Sequence, residues 1–133
     1  SVADGWVSVA QDFEGAWGKV IFVCYRLPEG RWPTVIEVMY AQLNSIEVKP
    51  GDFVKKGQRI GTVGNAGGTY PAHLHWEIRQ TVGLGLGAGF DPKRDGWLEP
   101  SAFLAAHRGD RTASPLLMKV LKKEEREGWG TDY

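Results

Sequence analysis

Residues 48–79 read VKPGDFVKKGQRIGTVGNAGGTYPAHLHWEIR. Pro50-Gly51 is followed by glycines at 57, 61, 64, 67 and 68. Glycine supplies positive φ and proline fixes φ near −65°, so this spacing leaves room only for strands of a few residues joined by tight turns. Small all-β barrels and sandwiches are built in this way. The run closes on HLHWEIR, whose β-branched, aromatic and apolar residues predict a strand. Residues i and i+2 of a strand point to the same face, so His73 and His75 should project together while Leu74 and Trp76 face the other way. The chain has only three histidines, and two of them stand here.

The flanking segments extend the same reading. GWVSVA alternates. KVIFVCY is continuously apolar, as a strand buried on both faces would be, and TVIEVMYAQL resumes alternation. EGAWG and LPEGRWP separate them as turns, giving a β meander. After the histidine strand, TVGLGLGAGFDPKRDGW shows no stable period; it lacks the helix and the Lys-Ser/Thr pair of a nucleotide-binding loop and reads as a surface loop. EPSAFLAAHR predicts a short helix with Pro100 near its start and His107 in its last turn, a surface role. ASPLLMKVLKKEEREGWG predicts a second helix, capped by Ser114, started by Pro115 and stopped at Gly128, which packs on the β body or serves as an interaction segment.

At 133 residues one core is expected. Sixteen Lys+Arg against sixteen Asp+Glu give no excess charge to attract nucleic acid or an anionic membrane surface. No apolar run approaches the roughly 18 residues of a membrane span. Cys24, the single cysteine, sits among apolar neighbours and is expected to be a small buried hydrophobe. The chain opens on Ser1 rather than Met, the expectation being a processed or partly represented protein.

Two imidazoles side by side suit both metal ligation and proton handling. Zinc takes neutral imidazole nitrogen, and hydrolytic sites combine three protein ligands with a water whose pKa falls towards 7. An H-x-H pair alone is also compatible with hydrogen-bonded structural histidines, and the residue pattern leaves both readings open.

MYAQLNSIEVKPGDFVKKGQRIGTVGNAGGTYPAHLHWEIR resembles the core of the lysostaphin-type, LytM-like zinc metallopeptidases, which cleave peptide cross-links in bacterial peptidoglycan, and the resemblance runs from about SVADGWV to LEPSAFL. The resemblance spans most of the chain, in the order Tyr-x-x-Leu, VKPGD, V-K-K-G-Q-x-I-G, V-G-N-A-G, H-L-H-W-E-I-R. It implies an all-β fold of duplicated hybrid-motif type, with a central antiparallel sheet under a groove and short C-terminal helices. It implies His75 as a zinc ligand and His73 as a catalytic histidine. The implied location is the cell envelope, periplasm or exterior, and the implied partners are peptidoglycan peptides or another cell-wall hydrolase. The metallopeptidase-like domain is expected over residues 1–108, its N-terminal part lying upstream, with a helical extension over 109–133.

Two positions depart from the pattern. The family draws its other two zinc ligands from an H-x-x-x-D motif ahead of the strand represented here by ADGWVSVA, and the chain begins after it. Zinc is therefore expected only if upstream residues supply that His and Asp; Asp4 and Asp12 are poor substitutes. At Tyr40-Ala41-Gln42-Leu43, Gln42 stands where active relatives carry histidine. A neutral amide cannot take up a proton near neutral pH, and loss of a general acid or base costs about 10²- to 10⁴-fold in turnover. The sequence thus supports a peptidoglycan-directed zinc metalloendopeptidase with an incomplete site, or a degenerate domain that binds wall material or regulates other hydrolases. Tyr40, Tyr70 and Trp76, with Trp17 and Trp32, are candidate groove aromatics. VKPGDFVKKGQRIGTV also suggests biotinyl or lipoyl carriers, but the GNAGG turn lacks their lysine; a phosphocarrier with a phosphorylated histidine is a distant option.

Overall fold

The computed structural model describes residues 1–27, 34–80, 82–83, 85–86 and 97–107. Among them, seven strands form one antiparallel sheet: β1 (Gly5–Asp12), β2 (Lys19–Leu27), β3 (Thr34–Ile46), β4 (Phe53–Val54), β5 (Gly61–Val63), β6 (His75–Arg79) and β7 (Trp97–Leu98). Its order is β4-β1-β2-β3-β6-β7, with β5 also on β3. The two longest strands, β2 and β3, lie in the middle, where the continuously apolar KVIFVCY stretch buries side chains on both faces. A short helix, α1 (Pro100–Ala106), follows β7. Glu99 caps it, its carboxylate accepting from the Ser101 and Ala102 amides, which holds the Glu99 carboxyl below its ordinary range. His107 closes the helix with its ring stacked on Phe103. The expected helix over 109–133 lies outside the described residues, as does Trp32.

The sheet separates two apolar clusters. The larger gathers Val7, Ile21, Val23, Tyr25, Ile36, Val38, Tyr40, Ile60 and Ile78, with Phe103 of α1. The smaller contains Val20, Phe22, Met39 and Ala41, with Trp17 packed against it. Cross-strand register sorts them: Tyr25 faces Ile36 and Val23 faces Val38 on one side, while Phe22 faces Met39 on the other. Cys24 is buried, as expected of a small hydrophobe, with its sulfur 4.0 Å from both Ser8 Oγ and Glu37 Oε2.

Strand β3 changes partners at Gln42. Before it, Glu37 to Ala41 pair with Arg79 to His75 of β6. After it, Leu43, Ser45 and Ile46 pair with β5. Gln42 itself has φ of 60°, in the left-handed region, and the β2–β3 ladder shifts register here, between Lys19 and Ile21. This is a bulge, and it bends the strand. Close approach of the chain past the bulge dictates glycine at 64. A Cβ there would lie 2.4 Å from the Asn44 amide nitrogen and 2.6 Å from the Leu43 carbonyl carbon. Gly64 in turn pairs with His73.

Candidate functional site

His75 begins β6 opposite Ala41, and its side chain is 24% exposed. His73 lies two residues earlier, half-buried, held by the bridge to Gly64. Neither ring is sealed in the interior. An aromatic edge meets each imidazole: Trp17 lies perpendicular to His75 with centroids 5.2 Å apart, and Tyr70 lies at 79° to His73 with centroids 5.6 Å apart. Trp17 comes from the β1–β2 turn and the exposed Tyr70 from the β5–β6 connection, so the two turns flank the histidine strand.

Hydrogen bonds fix the two rings in opposite protonation patterns. His73 Nδ1 bonds the Pro71 carbonyl oxygen. A carbonyl only accepts, so the neutral ring carries its proton on Nδ1 and its lone pair on Nε2. His75 Nε2 lies 2.7 Å from Glu77 Oε1. A carboxylate likewise accepts, so the neutral His75 carries its proton on Nε2 and its lone pair on Nδ1.

Behind His75 runs a row of charge that the sequence reading does not contain. Glu77 Oε2 accepts from Arg79 Nε at 3.1 Å and from Nη2 at 2.9 Å. Arg79 Nη1 lies 3.5 Å from Glu37 Oε1, and the Arg79 and Glu37 side chains have no solvent exposure. The guanidinium also sits 5.0 Å from the Phe22 ring centroid. Glu37 reads in TVIEVMY as the polar member of an alternating strand. The signal that could have found it is the E-I-R of the neighbouring strand, which supplies a cation of matching parity.

Gln42 bonds the β1–β2 turn. Its backbone N–H donates to the Trp17 carbonyl at 3.0 Å and its side-chain Nε2 donates to the Ala16 carbonyl at 3.1 Å. Oε1 is buried with no hydrogen-bond partner among the described residues. Gln42 therefore anchors the turn that sets Trp17 against His75.

The groove aromatics expected from sequence divide. Tyr70 and Trp17 stand beside the histidines. Tyr40 does not line a groove: it is 7% exposed and lies in the larger core, where its hydroxyl is 2.9 Å from the Tyr25 hydroxyl. Burial raises the pKa of both phenols, Tyr25 well above its ordinary value. Trp76 pairs with Tyr40 across β3 and β6 and packs against the same core, on the sheet face away from His75. The physical reason is parity: residues 40 and 76 are the immediate neighbours of Ala41 and His75, and adjacent strand residues face opposite ways. Asp4 and Asp12 are engaged elsewhere, accepting from the Lys56 and Glu14 amides respectively. A polar hollow of about 270 Å³ opens beside the same turn, lined among others by Asp12, Glu14, Lys19, Asn44 and Asn65.

Zinc needs three protein ligands in a hydrolytic site. Among the described residues no group of three His, Cys, Asp or Glu side chains is placed to hold one metal ion. His75 offers one nitrogen, while the oxygens of Glu77 are directed at His75 and Arg79. The described residues alone do not fit a zinc centre.

The sequence profile of peptidase family M23 matches residues 1–89. Cell division protein DipM of Caulobacter vibrioides is 37% identical over 79 residues, 59% of this chain and 12% of that protein. Among solved structures, LytU superimposes with a TM-score of 0.56 at 27% identity, covering 80% of this chain and 63% of that one. A point mutant of the catalytic domain of the prophage-encoded M23 protein EnpA from Enterococcus faecalis gives 0.51 at 22% identity, covering 76% and 65%; this shows likeness of fold. The chain thus spans less than two thirds of the length of each.

Proposed function

Because the chain belongs to peptidase family M23, we propose that the surface presenting His73 and His75 engages the peptide of bacterial peptidoglycan, and that the domain binds it without hydrolysing it. The reading places the protein in the cell envelope or outside the cell, with wall peptide or another wall hydrolase as partner. Residues 1–108 form the M23-like unit, and 109–133 an extension to it. In this reading His73 stands at the family's catalytic position and His75 at a metal-ligand position, while Tyr70 and Trp17 supply ring faces for a peptide or sugar.

Gln42 carries the proposal. Where a hydrolytic relative needs a group that exchanges a proton, this chain has a neutral amide, 6% exposed, whose donor is spent on the Ala16 carbonyl. That side chain ties down a turn, and moves no proton.

One observation favours a second reading, that of a zinc endopeptidase. The Glu77–His75 hydrogen bond is the kind of outer contact that orients a ligating imidazole and sets its tautomer. Such an enzyme would draw further donors from beyond the described residues.

Both readings are tested by incubating the full-length protein, with added zinc and separately with a chelator, with purified cross-linked peptidoglycan. Sedimentation with the wall and an unchanged fragment pattern by mass spectrometry is the expected result. New peptide termini that the chelator abolishes would establish the endopeptidase instead, and absence from the pellet under both conditions would remove the wall as ligand.

A further inference from the structure

Glu37, Arg79, Glu77 and His75 form one chain of contacts that starts at a side chain with no solvent exposure and ends at a ring that reaches the surface. We propose that Arg79, ion-paired with Glu37 across the strands, is a positioning residue that aims the Glu77 carboxylate at His75 and so fixes that ring in its Nε2–H tautomer, opposite to the Nδ1–H tautomer of His73.

Three features support it. Arg79 reaches a single oxygen of Glu77 with two nitrogens, Nε and Nη2. Turning the Glu77 carboxylate would break both of these bonds and the one to His75 together. The guanidinium is itself confined by Glu37 Oε1 at 3.5 Å, by Met39 Sδ at 3.4 Å from Nη2, and by the Phe22 ring. Finally, the register makes Glu37 the direct cross-strand partner of Arg79, and Met39 that of Glu77, so sheet pairing places the clamp. A buried ion cluster is a poor way to gain stability compared with apolar packing of equal volume. Its geometric output here is a carboxylate held in one orientation against the His75 ring.

The inference deepens the groove reading, because His75 is the residue it presents to a ligand; the tautomer itself can be measured without any ligand. Long-range nitrogen–proton NMR on the full-length protein, above the pH at which the imidazoles protonate, assigns each ring. His75 is expected as Nε2–H. His73 and His107 are expected as Nδ1–H, since each directs Nδ1 at a carbonyl. A charge-assisted hydrogen bond should bias His75 by about ten- to a hundred-fold. Arg79→Lys keeps the charge but loses the fork. Glu77→Gln must choose between offering its oxygen to His75 and to Arg79. Each is expected to lower the His75 tautomer ratio by about ten-fold while leaving that of His107 unchanged.

An Nδ1–H form of His75 in the unaltered protein overturns the proposal, as does a ratio unmoved by either substitution. Should a variant not fold, the unaltered protein still decides: the clamp requires separate, slowly exchanging Nη signals from Arg79, and a single averaged signal refutes it. Peptidoglycan sedimentation reports on the groove reading alone, so failure there with the expected tautomers sinks that reading and not this one.

Discussion

Glu37 and Arg79 stand directly opposite each other on β3 and β6, and neither side chain meets solvent. Removing one member of such a pair leaves a buried charge without its main compensation. Arg79→Met is expected to cost about 3–5 kcal/mol, seen as a lower denaturant midpoint. The double variant Glu37→Met with Arg79→Met should recover part of that loss, because the Glu37 charge disappears with its partner while Glu77 still loses its two bonds from Arg79.

Gly64 admits no side chain. With the Cβ of Gly64→Ala set 2.4 Å from one backbone atom and 2.6 Å from another, relief must come from moving β3 or the bridge to His73. A loss of about 1–3 kcal/mol is expected in urea denaturation, accompanied by shifted His73 ring resonances. Gly15→Ala is the control. Its Cβ meets nothing within 4 Å, and its φ of 57° leaves only the left-handed penalty, about 1–2 kcal/mol, with no shift at His73.

Substituting Gln42 separates backbone strain from anchoring. Gln42→Gly removes the cost of a non-glycine residue at φ 60° and also the bond to Ala16. Each is worth about 1 kcal/mol, so stability should barely change. Trp17 loses a side-chain tether, however, and its fluorescence, which the adjacent imidazole of His75 should quench, is expected to increase.

Tyr25 and Tyr40 predict alkaline behaviour. Burial raises both phenol pKa values above the ordinary value of 10.0. Raised folded pKa values mean that, as pH climbs past the unfolded value, the unfolded chain releases protons that the folded one retains. The phenols' contribution is thus complete below about pH 10 and is lost as pH rises through the folded values, by at most about 1.4 kcal/mol per tyrosine per pH unit. Denaturation midpoints measured between about pH 9 and 12 should fall steeply. Tyr25→Phe with Tyr40→Phe should flatten that fall while lowering stability at neutral pH, through loss of the buried hydroxyl pair.

Sequence legibility follows the physics of each feature. The glycine spacing of residues 48–79 and the apolar run of β2 are local signals, and they report the short strands and the central strand correctly. The short helix behind Glu99 is legible for the same reason, since Pro100 marks its first turn. Parity around HLHWEIR separates His75 from Trp76, but period 2 does not say which side is groove and which is core. Tyr40 is therefore expected at the groove from sequence and lies inside. The Glu37–Arg79 contact joins residues far apart in the chain by strand pairing, so the E-I-R signal points to Glu37 only once β3 and β6 are known to be neighbours in register. The bulge at Gln42 is hidden as well, because a left-handed glutamine has no composition signature of the kind glycine gives. What Gln42 lacks in proton chemistry is readable from its side chain; what it does for the β1–β2 turn requires the fold.

The double tie from Gln42 to the carbonyls of Ala16 and Trp17 has a thermodynamic corollary. A turn fastened to the central strand before any guest arrives surrenders little freedom when one docks. Immobilising a loop and its side chains on association otherwise costs about 0.5–1.5 kcal/mol for each ordered side chain. Trp17 would meet its guest as part of a rigid wall, and affinity there would reflect contact made, with little lost to disorder removed.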